Sequence, residues 1–127
     1  MSAGELMLYL GSIVLVIWGA MHILQGTPGV VSGFGTLSDD NRRILTMEWV
    51  GGGMTLCFIG DLVILMTLAG DIQSAVAVLV IRFQAVVLVI RAIWEAMTGA
   101  KTPVIQFKIC VGLQIGVAVL YVLATLV

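Results

Sequence analysis

Charge is what this 127-residue chain has least of: 10% of its residues are Asp, Glu, Lys or Arg, against 61% that are hydrophobic. Ordinary soluble domains carry roughly 25% charged residues, so this scarcity excludes a water-soluble fold. No basic run exceeds Arg42-Arg43 and the formal net charge is −1. Neither a nucleic-acid surface nor a polybasic stripe for acidic lipids is therefore indicated. Proline is confined to Pro28 and Pro103. Cys57 and Cys110 are not spaced as CxxC or as a haem-attachment motif. Counted from one membrane face they lie ~20 Å and ~9 Å deep, which argues against a disulfide and leaves them as packing thiols. A single histidine, His22, cannot provide bis-histidine haem ligation within one chain. The N-terminus lacks the positive region and the small-x-small cleavage site of a signal peptide, and reads as a first span.

Long apolar stretches fill the space that charge leaves. The mean hydropathy is +1.18, and the breaks between stretches define four spans at about 6–24, 44–69, 72–97 and 104–127. The expected fold class is all-α: an integral membrane four-helix bundle forming one domain over 1–127, with no extramembrane part large enough to bury its own core. Gln25-Gly26-Thr27-Pro28-Gly29 ends the first span. In the loop that follows, Val30, Val31, Phe34 and Leu37 sit among Gly33 and Gly35, so part of it is expected to lie on the bilayer surface or to cap the bundle. Ser38 then supplies an N-cap, with Asp39 and Asp40 at the positive end of the helix dipole. That second helix, at ~45 Å, exceeds the ~30 Å hydrocarbon core and should protrude or tilt. Gly70-Asp71 forms a tight turn, which predicts the third helix running antiparallel beside the second. Arg42, Arg43 and Lys101 put the first and third loops in the cytoplasm and both termini outside.

Several charges nevertheless lie within the apolar stretches, where each costs at least ~2.5–3.5 kcal/mol unless it is paired, reaches the interface or lines a site. Asp61 and Arg82 are at similar depth when counted from the tight turn, and an interhelical ion pair between them is the economical expectation. Its role is either to specify which helix faces meet or to carry a proton or ion relay, which Gln84 and Gln114 could extend. A second group gathers near the cytoplasmic end: His22, Glu48, Arg91 and Glu95, with Gln106 and Lys108, beside Trp18, Trp49 and Trp94. An interfacial belt of tryptophans and snorkelling side chains is one reading. The other is an aromatic-walled site for a flat, polar-headed lipophile, formed by Trp18, His22, Glu48, Trp49, Arg91, Trp94 and Glu95. In that site His22, hydrogen-bonded to Glu48, would give a proton to a quinone carbonyl. A carboxylate-rich metal site of His22, Glu48 and Glu95 is a further alternative, and Arg91 with Glu95 also has the spacing of a local helical pair. Gly112 and Gly116 form a GxxxG on the last span, which in a bundle serves internal packing more often than dimerisation.

The succession Trp18…His22-Ile23, Val31-Ser32-Gly33-Phe34-Gly35, Asp40-Asn41-Arg42-Arg43, Met47-Glu48-Trp49-Val50, Phe58-Ile59-Gly60 and Thr98-Gly99-Ala100-Lys101-Thr102 resembles the small four-span bacterial membrane proteins grouped as DoxX-like. That resemblance implies an inner-membrane protein and, from some relatives, a membrane subunit of a quinone-linked oxidoreductase. It supplies no catalytic residue. The functional expectation is a protein of the bilayer that takes a lipophilic small molecule, with quinone as the suspected cofactor and a protein partner or second copy beside it. A small oligomeric transporter or channel subunit, or a purely structural assembly subunit, are the rivals.

Overall fold

The computed structural model describes residues 1–127, the side chain of Thr27 excepted. Four helices follow in order: α1 (Ala3–Gln25), α2 (Asp39–Leu68), α3 (Ala75–Met97) and α4 (Ile105–Ala124). All four are long and apolar enough to cross a membrane, and no strand occurs among the described residues. The chain is a small multi-pass membrane protein with an all-α, four-helix fold.

Serine hydroxyls set the starts of α1, α2 and α3. Ser2 and Glu5 cap α1 reciprocally, the Glu5 N–H donating to the Ser2 hydroxyl at 3.1 Å while the Ser2 N–H donates to the Glu5 carboxylate. Ser38 accepts from the Asn41 N–H at 3.2 Å and Asp39 and Asp40 occupy the first turn of α2. Ser74 does the same for α3 through the Ala77 N–H. Gly70, with φ 126°, makes the turn between α2 and α3 in a conformation that side-chain-bearing residues avoid. Between α1 and α2 the chain passes through a π turn (Gly26–Val30) and a 3-10 turn (Val31–Phe34). This connection caps the bundle: Val31 is 1% exposed.

Packing departs from the expected neighbour order. α1 runs against both α2 and α4, and α3 runs against α4, whereas α2 and α3 touch little beyond their shared turn. The α1–α2 seam explains why. A methyl group built on Gly19 would come within 2.7 Å of the Gly53 carbonyl oxygen, and one on Gly60 within 2.7 Å of the Ser12 carbonyl oxygen. These glycines let the two backbones approach closely, as small residues do in membranes, and α2 turns its small-residue face toward α1. A short turn fixes where α2 and α3 begin, not whether they stay together. On the other side of α1, Gly11 lies beneath Tyr121 and Val117, and the Ser12 and Tyr121 hydroxyls share a buried hydrogen bond of 2.8 Å.

Two further expectations fail for the same azimuthal reason. Asp61 and Arg82 do not pair: Asp61 is exposed on α2, and the Arg82 Nε donates to the Thr125 hydroxyl on α4 at 3.0 Å. The one salt bridge among the described residues joins Arg91 to Glu95. Gly112 and Gly116 do not serve internal packing, because a methyl group on either would meet nothing within 4 Å.

Candidate functional site

A cleft of about 1000 Å3 opens where α2 and α3 part, at the end of the bundle where α1 stops and α4 begins. Its lining draws on all four helices and on Val30, Val31 and Phe34 of the capping loop. His22, Glu48, Trp49, Arg91, Trp94 and Glu95 all border it.

Trp49 forms its aromatic wall. The indole stacks on the His22 imidazole, with ring centroids 3.9 Å apart and planes 11° from parallel, and makes a T-shaped contact with Phe107 at 5.5 Å between centroids. Its Nε1–H donates to the carbonyl of His22. Gly26 permits this placement, since a side chain there would collide with the indole. Trp49 is thereby tied to the end of α1, and its N–H is not available to lipid headgroups.

Opposite this wall stands a polar triangle. The Arg91 Nε donates to the Gln114 Oε1 at 3.2 Å and the Arg91 Nη2 to the Glu95 Oε1 at 3.1 Å, while the Gln114 Nε2 donates to the Glu95 Oε2 at 2.9 Å. Gln114 is completely buried; Arg91 and Glu95 are 23% and 17% exposed. Charge and hydrogen-bonding capacity are thus largely satisfied within α3 and α4, as burial requires. The i,i+4 pair expected for Arg91 and Glu95 is present, and Gln114 converts it from a local contact into an interhelical one. The sequence offers Gln114 as an uncharged extension of an Asp61–Arg82 relay; in the fold it belongs to this triangle.

Gly52 lies between the two sides. A methyl group built there would sit 3.5 Å from the His22 Nε2 and 3.9 Å from the Arg91 Nη2. Both nitrogens therefore face one small volume that the glycine leaves open. Glu48 is exposed at the rim, with no hydrogen bond to His22 among the described residues. The expected His22–Glu48 contact does not form; the His22 imidazole stacks on Trp49 instead, and Glu48 stays exposed.

Trp18 does not border the cleft; it packs against the hydrophobic core. Lys108 is exposed and Gln106 half-buried, and neither lines the site. His22, Glu48 and Glu95 do not converge, and no grouping of three or more His, Cys, Asp or Glu residues fit to hold a metal occurs among the described residues. Phe107 and Gly52 join the site without being evident in the sequence. Phe107 has no signal beyond its place near the start of α4, while Gly52 is hidden in the run Gly51-Gly52-Gly53, of which the first two border the cleft and the third packs against α1.

No family model, curated protein or solved structure matches the chain.

Proposed function

We propose that this small membrane protein binds a lipophilic molecule with a polar, hydrogen-bond-accepting head, such as a quinone, in the cleft between α2 and α3, and that it serves as a membrane subunit of a redox complex. One observation carries the reading: His22 and Arg91 converge on the space beside Gly52, next to the flat wall of Trp49. An interfacial belt would direct its aromatic N–H groups toward headgroups. Trp49 instead donates inward to the His22 carbonyl. The cleft is at the upper end of the size range of small-molecule sites, and it has their usual composition of apolar and aromatic walls with few polar groups.

In this reading the ring of the ligand lies along the Trp49 side and a carbonyl oxygen accepts from Arg91, whose position is set by Glu95 and Gln114. His22 offers a second polar contact to the same head group and is the candidate proton donor to it. The isoprenoid or acyl tail leaves between α2 and α3 into the bilayer. The resemblance to DoxX-like proteins favours the same assignment, with location in a bacterial inner membrane. Arg42, Arg43 and Lys101 favour cytoplasmic placement of the cleft end and extracytoplasmic termini.

The test is chemical. Protein purified in mild detergent is extracted with organic solvent and the extract analysed by mass spectrometry, beside Gly52→Leu protein prepared identically. A quinone or other polar-headed lipophile held stoichiometrically by the parent and absent from the variant supports the proposal. Identical extracts containing only bulk phospholipid contradict it.

A further inference from the structure

We infer that copies of this chain associate side by side in the membrane through an ion pair between Asp61 of one copy and Arg82 of the next. The inference is independent of what the cleft binds and rests on charges that the single chain leaves unmatched.

Asp61 is exposed on α2, and no hydrogen bond or ion pair engages its carboxylate among the described residues. At ~1.5 Å per residue it lies about 10 Å in from the end of α2 at Leu68. A bilayer core disfavours a charged carboxylate, and aspartate is too short to snorkel over that distance as lysine and arginine do. Arg82 lies about 10 Å in from the start of α3 at Ala75, by the same rise. Only its Nε is used, on the Thr125 hydroxyl; both terminal guanidinium nitrogens lack a protein partner among the described residues. Because α2 and α3 leave the same turn, the two charges have equal depth in copies that share one orientation.

They do not meet within one chain. Asp61 is one helical turn beyond Cys57, whose thiol lies against the Val16 carbonyl of α1, so the carboxylate stands on the flank where α2 joins α1. Arg82 instead borders a groove of about 530 Å3 between α3 and α4. Buried Ala85 and Ala118 form the floor of that groove, and Val86 and Val119 stand exposed at its sides. The flank carrying Asp61 is a ridge: Phe58 and Leu65, 63% and 62% exposed, project on either side of it. Seating the ridge of one copy in the Ala-floored groove of the next brings opposite charges together and covers both apolar faces. Because ridge and groove are different surfaces, the contact is head-to-tail, and repetition closes a ring or extends a row.

The experiment uses the full chain, separately labelled with donor and acceptor fluorophores and reconstituted in phosphatidylcholine vesicles over a range of protein-to-lipid ratios. Energy transfer should show association in the parent. Asp61→Asn and Arg82→Gln should each raise the protein density needed for half-maximal transfer at least about tenfold, since each leaves one charge unpaired. The exchanged variant Asp61→Arg with Arg82→Asp should restore it. Asp61→Asn keeps its side chain outside the monomer core, so its melting curve in detergent should match the parent and separate assembly from folding. The inference is overturned if the parent stays monomeric at every density, if Asp61→Asn associates like the parent, or if the exchanged variant fails to recover. It is equally overturned if association depends on Gly112→Ile while being indifferent to both charges.

Discussion

The two ends of the bundle are built from the same four helices and behave oppositely. At the Gly70 end the helices close. Gly4 lets α1 lie against the Ala124 carbonyl, Ser12 and Tyr121 satisfy each other in the core, and the Gln73 amide donates to the Val127 carbonyl at 2.8 Å. At the Gly99 end α2 and α3 part, and large side chains occupy the opening: Trp49 stacked on His22, Phe107 in a T-shaped contact with it, Arg91 fixed by Glu95 and Gln114. Small residues and mutually satisfied hydroxyls produce contact; aromatic and charged residues braced by their own partners produce a lined space. The closed end therefore carries stability, and the open end can carry recognition without contributing equally to the fold.

Substitutions at the closed end should have the largest effect on stability. Tyr121→Ala removes a fully buried ring and strands the Ser12 hydroxyl, so thermal melting in detergent should show a loss of about 3–5 kcal/mol. A loss below about 1 kcal/mol would erase the contrast between the two ends.

Gln114→Leu tests the brace between α3 and α4. It takes away an interhelical acceptor from Arg91 and a donor from Glu95, leaving both charges short of partners. The expected cost is about 1–3 kcal/mol, less than that of Tyr121→Ala, together with weaker ligand binding because Arg91 is no longer held. Full-strength binding in a destabilised Gln114→Leu protein would show that Arg91 needs no positioning.

Phe107→Leu should cost least, on the order of 1 kcal/mol, since it removes an edge contact at the wall of the cleft and leaves the His22–Trp49 stack in place. Circular dichroism melting beside the parent is sufficient to check it. A loss equal to that of Tyr121→Ala would mean that the open end is as much a core as the closed one.

Depth along the membrane normal is legible in the sequence; direction around each helix is not. Counting residues from the turns places His22, Glu48, Trp49, Arg91, Trp94 and Glu95 in one layer, and these residues border one cleft. The same counting puts Trp18 in that layer, where its azimuth carries it into the core. It also makes partners of Asp61 and Arg82, which share a depth but face different flanks. The separation of α2 from α3 depends on which glycines touch: Gly53 contacts α1, whereas Gly51, two residues earlier, borders the cleft with nothing within 4 Å of an added methyl group. Apolar composition marks all of these glycines as span residues and does not distinguish their faces. The Ser38 cap is more legible, because its hydroxyl acts on an N–H group three residues ahead in the chain.

We propose the open end as a ligand site and not merely a loosely packed rim. Tryptophan fluorescence of delipidated protein, titrated with a short-chain quinone, tests it most directly when the parent is compared with Gly52→Leu. The added side chain enters the space facing His22 and Arg91, where a methyl group would already make ordinary contact with the imidazole at 3.5 Å. Replacing glycine in a helix should not lower stability there. Saturable quenching in the parent, weakened at least about tenfold in a variant with an unchanged melting curve, is the predicted result; occlusion of the head-group position should remove its polar contacts. Linear quenching of the same slope in both proteins would mean that quinone only partitions into the detergent, and would contradict the account.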